Sequence, residues 1–205
     1  MNTKQKIGRA CMIVGILLIL GALALLGYNQ WDANRADKAS QDALGKLEET
    51  LTETMEDKTK DEEPVVQPEL DPEQEMTVTD IDGWGYIGCL SIPSIGLELP
   101  VMSEWSYPRL KIAPCRQFGS SRTDDLVIAA HNYESHFGKL TSLTAGDSVI
   151  FTDMDGIVNE YVVNKVEVLD PHSVEEVEHS GYALVLYTCT YGGKTRVTVF
   201  CDRAS

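Results

Sequence analysis

The chain has 205 residues, 43% of them hydrophobic and 24% charged, which is room for about one folded domain. Lys and Arg number 17 against 32 Asp and Glu, a formal net charge of −15. So acidic a chain repels a phosphate backbone, which excludes nucleic acid as a partner, and ordinary glycine (16) and proline (8) contents exclude collagen-like and low-complexity classes.

The first element is apolar. Residues 1–31 hold Lys4, Lys6 and Arg9 and no acid, and Ala10 to Tyr28 reads ACMIVGILLILGALALLGY. A helix rises about 1.5 Å per residue, so roughly 20 such residues cross a hydrocarbon core. A signal-peptide core is shorter, about 7–15 residues, and precedes its cleavage site. Here Ala22-Leu23-Ala24 lies inside the run. The expectation is an uncleaved single-pass anchor over residues 1–31. The flanking bases predict a cytoplasmic N-terminus and export of everything after Tyr28, with Tyr28 and Trp31 at the interface.

Residues 32–79 carry 15 acids against five bases and no aromatic side chain. Leu44, Leu47, Leu51 and Met55 fall at helical spacing, which predicts a helix over residues 36–60 with too few heptads for a firm coiled coil. Prolines 64, 68 and 72 forbid its continuation. The segment reads as an acidic spacer, helical or disordered, that holds the next domain away from the bilayer.

Residues 80–205 are strand-like and large enough for one core. Apolar or alternating runs occur at 84–92, 97–102, 125–131, 148–152, 160–169, 182–188 and 196–201, with a turn signal at Asp155-Gly156. Short helices are expected at 107–112, 136–143 and 173–179. The fold class is all-β, a barrel or sandwich of seven or eight strands.

Cys89 and Cys201 alternate with apolar neighbours and read as small core residues, a disulfide between them being the alternative. Cys115, beside Arg116, is ambiguous. Cys189 differs: it ends an apolar strand and enters the polar turn TYGGK, so nucleophile and packing readings stand level on position alone. His131 ends the strand LVIAAH in the same way, a core histidine being its plain alternative. Arg196 opens the last strand seven residues after Cys189, where a cation could hold an oxyanion. Arg203 lies farther along and reads as a surface charge. A thiolate, a proton donor and a cation are the parts that nucleophilic acyl transfer needs. Asp153 and Asp155 flank a turn, which explains them better than a metal, and no cofactor is expected.

The domain resembles the sortases, the Gram-positive cysteine transpeptidases, over about residues 84–203. The residues that carry the resemblance are G-Y-I-x-x-L-x-I-P (Gly85 to Pro93), I-x-L-x-L-P-V (Ile95 to Val101) and A-H-N (Ala130 to Asn132). F-G-x-L-x-x-L-x-x-G-D (Phe137 to Asp147), L-x-L-Y-T-C-T (Leu184 to Thr190) and R-V-T-V (Arg196 to Val199) follow in order. The resemblance implies a closed β-barrel of about eight strands with short helices over residues 80–205. It implies Cys189 as nucleophile, His131 as general acid/base and Arg196 as the residue that stabilises the oxyanion or positions the substrate. Thr188 is implied at the substrate backbone, with Val174 and Val177 at the Leu-Pro end of the groove. The reaction implied is cleavage of an LPxTG-type sorting signal between Thr and Gly and transfer of the acyl group to a peptidoglycan-precursor amine or a pilin lysine. Hydrolysis to water, or a catalytically quiet binding module, are the alternatives. Asp71-Pro72 is followed by Glu73 rather than an aromatic, and no C-terminal anchor is visible, which lowers pilus assembly. The Cys context is similar to class B, but only 12 residues (170–181) precede the Cys strand, so a class D-like member fits as well.

Overall fold

The computed structural model describes residues 3–60 and 71–204; the side chains of residues 3–6, 56–60 and Val174 lie outside that description, as do prolines 64 and 68. The first element is one helix, α1, Thr3–Lys60. The chain divides into two compact units, Met1–Arg35 and Ala36–Ser205.

The first unit is the N-terminal part of α1. Its apolar side chains point outward all round: Leu18 is 70% exposed and Ile19 63%. The helix is long and apolar enough to cross a membrane. At the end of this stretch the Tyr28 and Trp31 rings lie 6.0 Å apart, and the Arg35 guanidinium sits 5.9 Å from the Trp31 ring.

The second unit contains nine strands. They are β1 Thr79–Ile81, β2 Trp84–Ile92, β3 Leu97–Met102, β4 Cys115–Phe118 and β5 Leu126–Ala130. β6 Ser148–Asp153, β7 Val158–Leu169, β8 Leu184–Cys189 and β9 Arg196–Arg203 follow. The order β2-β3-β4-β5-β8-β9-β7-β6 closes through a β2–β6 pairing, so eight strands form the barrel and β1 adds a hairpin arm to β2. Closure depends on Gly88. Its φ is +152°, and a Cβ there would stand 2.2 Å from the Thr152 carbonyl oxygen, so only glycine lets β6 approach. The expected short helices appear as α2 (Tyr107–Leu110), a 3-10 segment (Phe137–Ser142) and α3 (Val174–Glu178).

Alternation along the strands separates an inside from an outside. Leu126, Ile128 and Ala130 of β5 and Leu184 and Leu186 of β8 enter the barrel core with Phe137, Phe151 and Tyr161. Val127 and Val185 face outward and are covered by Phe118, Leu169, Val177 and Tyr182. Strands covered on both faces read as unbroken apolar runs, which is why LVIAA and LVL show no polar alternation.

A second outer layer is made by α1. Ala43, Leu44, Leu47 and Leu51 are buried with Tyr86, Cys89, Met102, Cys115 and Ala129. Lys46 pairs with Asp82, and Met55 reaches Gly156 in the β6–β7 turn. The leucine stripe that the sequence put on a helix of the acidic spacer is therefore seated on the outside of the barrel. The compact unit begins at Ala36 rather than near residue 80, because these side chains bury apolar surface that a solvated stalk would leave in water.

Away from that layer, Arg122 is buried and pairs with Asp153 at 2.6 Å and Asp155 at 2.7 Å. Asp153 also accepts from the Asp155 and Ile157 amides, so its carboxylate both shapes the hairpin turn and neutralises the arginine. Arg203 is not a loose surface charge. It bonds Asp124, Asn159 Oδ1 and the Ser121 carbonyl, and lies 5.2 Å from the Tyr161 ring. Cys89, Cys115, Cys189 and Cys201 are all free thiols. Cys201 lies in the barrel core and Cys89 in the outer layer, so the wall of the barrel separates the two that the sequence offered as a disulfide pair.

Candidate active site

Three strand ends build the site. β5 and β8 run parallel with Ala130 opposite Thr188. His131 and Cys189 are each the next residue after this pair, on neighbouring strands whose backbones run about 4.8 Å apart. β9 returns antiparallel and puts Arg196 directly opposite Cys189. The residues that bear a thiol, an imidazole and a guanidinium thus share one rim, although 58 residues separate the first two along the chain.

Thr188 holds the two strand ends in line. It is buried, and its Oγ1 donates to the Ala130 carbonyl at 2.8 Å, one residue before both His131 and Cys189. The resemblance implies this residue at the substrate backbone; in the structure its hydroxyl bonds the neighbouring strand. Alternation then sets direction. Ala129 and Tyr187 belong to the outer layer, so His131 and Cys189, two residues on, continue the outer face. Cys189 and His131 are half-exposed.

Arg196 Nη1 donates to the Gly193 and Thr195 carbonyls, both at 3.1 Å. Thr190 and Thr195 bond each other through side chain and backbone and pin the same turn. The guanidinium carries five donors in a rigid fork, so Nη2 and Nε add capacity beyond these two bonds.

His131 is packed by aromatic rings. Tyr133 lies 5.0 Å from it and 5.5 Å from His136. His136 is fully buried, and the polar group that its ring approaches is the Ala36 backbone. Burial pushes His136 down to about 4, and the charge of His131 adds to this while the Ala36 backbone opposes it. Ala36 and Ser40, one turn apart on α1, are themselves fully buried. The burial of His136 was not legible in the sequence: it opens the short helix expected over residues 136–143, and one turn is too short to show which side is covered.

Three thiols are chemically quiet. Burial pushes Cys89, Cys115 and Cys201 each up to about 12. Tyr187, two residues before Cys189, is likewise pushed up to about 12, by burial first, against the pull of Arg196. A cleft beside Arg196 is lined by Tyr187, Val177, Leu169 and Thr198. Val177 is one of the residues that line this cleft. The side chain of Val174 lies outside the described residues. No group of three or more metal-ligating side chains occurs among the described residues.

A β-barrel that gathers a free thiol, an imidazole and a guanidinium at one rim is the framework of a thiol-dependent acyl-transfer enzyme. The family model of the sortase domain matches residues 90–204. The chain is 28% identical to sortase A of Bacillus anthracis over 187 residues, 88% of this chain and 87% of that one. Its fold is similar to that of a sortase transpeptidase of Clostridium perfringens, with a TM-score of 0.56 at 17% identity, covering 84% of this chain and 99% of that one. Sortase C of Streptococcus pneumoniae aligns with a TM-score of 0.52 at 23% identity, covering 78% and 89% of the two chains. The chain belongs to the sortase family, whose members are cysteine transpeptidases.

Proposed function

We propose that this enzyme cleaves an LPxTG-like sorting signal between Thr and Gly and passes the acyl group to an amine. The observation that carries the reading is the register of three strand ends: Arg196 opposite Cys189, with His131 on the adjoining parallel strand. The Cys189 thiolate attacks the threonine carbonyl carbon, and the negative charge that develops on oxygen falls beside Arg196. Protonated His131 gives its proton to the departing glycine amine, which leaves a thioester on Cys189 and a neutral imidazole. The incoming amine, from a peptidoglycan precursor or a pilin lysine, attacks the thioester. It loses its proton to His131, and the thiolate is restored. Thr188 acts as a positioning residue, because its bond to Ala130 fixes the spacing of the two strand ends.

The exposed apolar helix supports an anchored enzyme. By the positive-inside rule, Lys4, Lys6 and Arg9 support an N-terminus in the cytoplasm and export of the barrel. The short β7–β8 connection, with α3 of five residues, favours a class D-like member. The test is incubation of the full chain in detergent with sorting-signal peptides and a diamine acceptor. Release of the Gly-peptide together with an amidated product supports transfer, and a product that carries only water would replace it with hydrolysis.

A further inference from the structure

A proton donor has to be aimed as well as placed. The backbone of His131 is placed by bonds on both sides. Thr188 holds the Ala130 carbonyl, and the Phe137 amide donates to the His131 carbonyl at 3.1 Å. The loop that follows closes on itself: the His136 and Gly138 amides both donate to the Tyr133 carbonyl, at 3.0 and 2.9 Å. A Cβ on Gly138 would stand 2.7 Å from that oxygen, so the turn tolerates no side chain there. Phe137 and Leu140 then enter the barrel core.

This turn brings three rings together. The Tyr133 ring lies 5.0 Å from the His131 imidazole, tilted by 46°, and 5.5 Å from His136 in an edge contact at 64°. Both are the distances of packed ring pairs. Tyr133 therefore occupies one side of the His131 imidazole and limits its rotation. Behind it His136 is fully buried, and its ring approaches the backbone of Ala36, itself fully buried on α1. An apolar ring would fill this place without desolvating a ring nitrogen. A local rule broken beside a reacting group marks a functional demand. Charge agrees with that. Burial pushes His136 down to about 4, so it is neutral at neutral pH. A residue that stayed charged there would oppose the proton that His131 has to carry.

We propose that His136 is a positioning residue for the reaction: anchored on the Ala36 backbone of α1, it backs the Tyr133 ring, and Tyr133 in turn aims the His131 imidazole. The inference rests on the transpeptidase reading, which makes His131 the proton donor. Two substrates test it on the full chain in detergent micelles. One is an L-P-A-T-G peptide, whose amine leaves only with a proton. The other is the L-P-A-T p-nitrophenyl ester. Cys189 attacks the same carbonyl, the C–O bond breaks and nitrophenolate departs unprotonated, so the donor is not needed. His136→Ala lowers kcat on the amide about tenfold with KM little changed, whereas acylation by the ester falls less than about twofold. Tyr133→Ala loses at least as much on the amide, and Tyr133→Phe, which keeps the ring, recovers it. The double variant His136→Ala with Tyr133→Ala loses no more than Tyr133→Ala alone, since both act through one contact. An undiminished amide rate in His136→Ala, an equal loss on both substrates, or additive losses in the double variant overturns the proposal and keeps the enzyme. An unmodified chain that the ester acylates but that cleaves no amide overturns the transpeptidase reading and the proposal with it.

Discussion

Leu47→Ala is expected to loosen α1 from the barrel without unfolding the barrel. Leu47 is fully buried in the outer layer, among Tyr86, Cys89 and Met102. Truncating such a leucine removes its transfer free energy and leaves a cavity, at a cost of about 2–5 kcal/mol. At the lower end the undocked population rises roughly 30-fold. Cys89 reports it. With α1 seated, its thiol is buried and pushed up to about 12, first by burial and then by the Glu48 carboxylate on α1 and by Glu98. Undocking returns it to water and toward an ordinary thiol near 8.5. The assay is alkylation at pH 8 under native conditions, with each cysteine followed by peptide mass. Cys89 labels about 30 times faster in Leu47→Ala, since labelling follows the open population when reclosing is fast. Cys201, inside the barrel, does not change. An unchanged Cys89 rate would refute the docked helix. A parallel rise at Cys201 would show that the whole domain opened instead.

Three further outcomes follow from buried polar groups. His136 titrates near 6.5 when unfolded and is pushed down to about 4 when folded, so between those values only the unfolded chain takes the proton. Its stability contribution is complete above about pH 6.5 and is lost as pH falls toward 4, by about 3 kcal/mol at most. Denaturant melts across this window show the loss in the native chain and a flatter profile in His136→Phe. Arg122→Met strands the buried Asp153 carboxylate, whose pKa burial already raises, and costs about 3–5 kcal/mol, read as a Tm drop of roughly 10 °C or more. Thr188→Val keeps the β-branched shape and loses the bond to Ala130; kcat falls about tenfold with KM little changed, because strand-end alignment is lost while the groove remains.

Much of this architecture was legible in the sequence, for identifiable reasons. Strands β2, β3 and β8 announce themselves as β-branched runs bounded by glycine and proline, and the rim residues Cys189 and His131 stand out as polar groups that end apolar runs. β1 and β4 were not legible. The former has three residues and the latter four, CRQF, with a bulge between Arg116 and Phe118 that breaks alternation. The leucine stripe of α1 was visible, but periodicity gives a face and never its partner. Thr188 was found for its place beside Cys189, whereas its hydroxyl bond depends on the β5–β8 pairing, which joins residues 58 apart. Arg122 had no signal at all: a lone arginine in SSRTDD reads as a loop charge until two carboxylates from another hairpin close on it.

In the proposed mechanism Cys189 carries the acyl group while the buried thiols Cys89, Cys115 and Cys201 stand aside. The direct measurement is intact mass of the full chain after brief exposure to a sorting-signal peptide, followed by mapping of the modified residue. One adduct is expected, of the mass of the peptide up to its threonine, on Cys189. The adduct is absent in Cys189→Ala and unchanged in Cys115→Ala. An adduct that persists in Cys189→Ala, or that maps to Cys115, contradicts it.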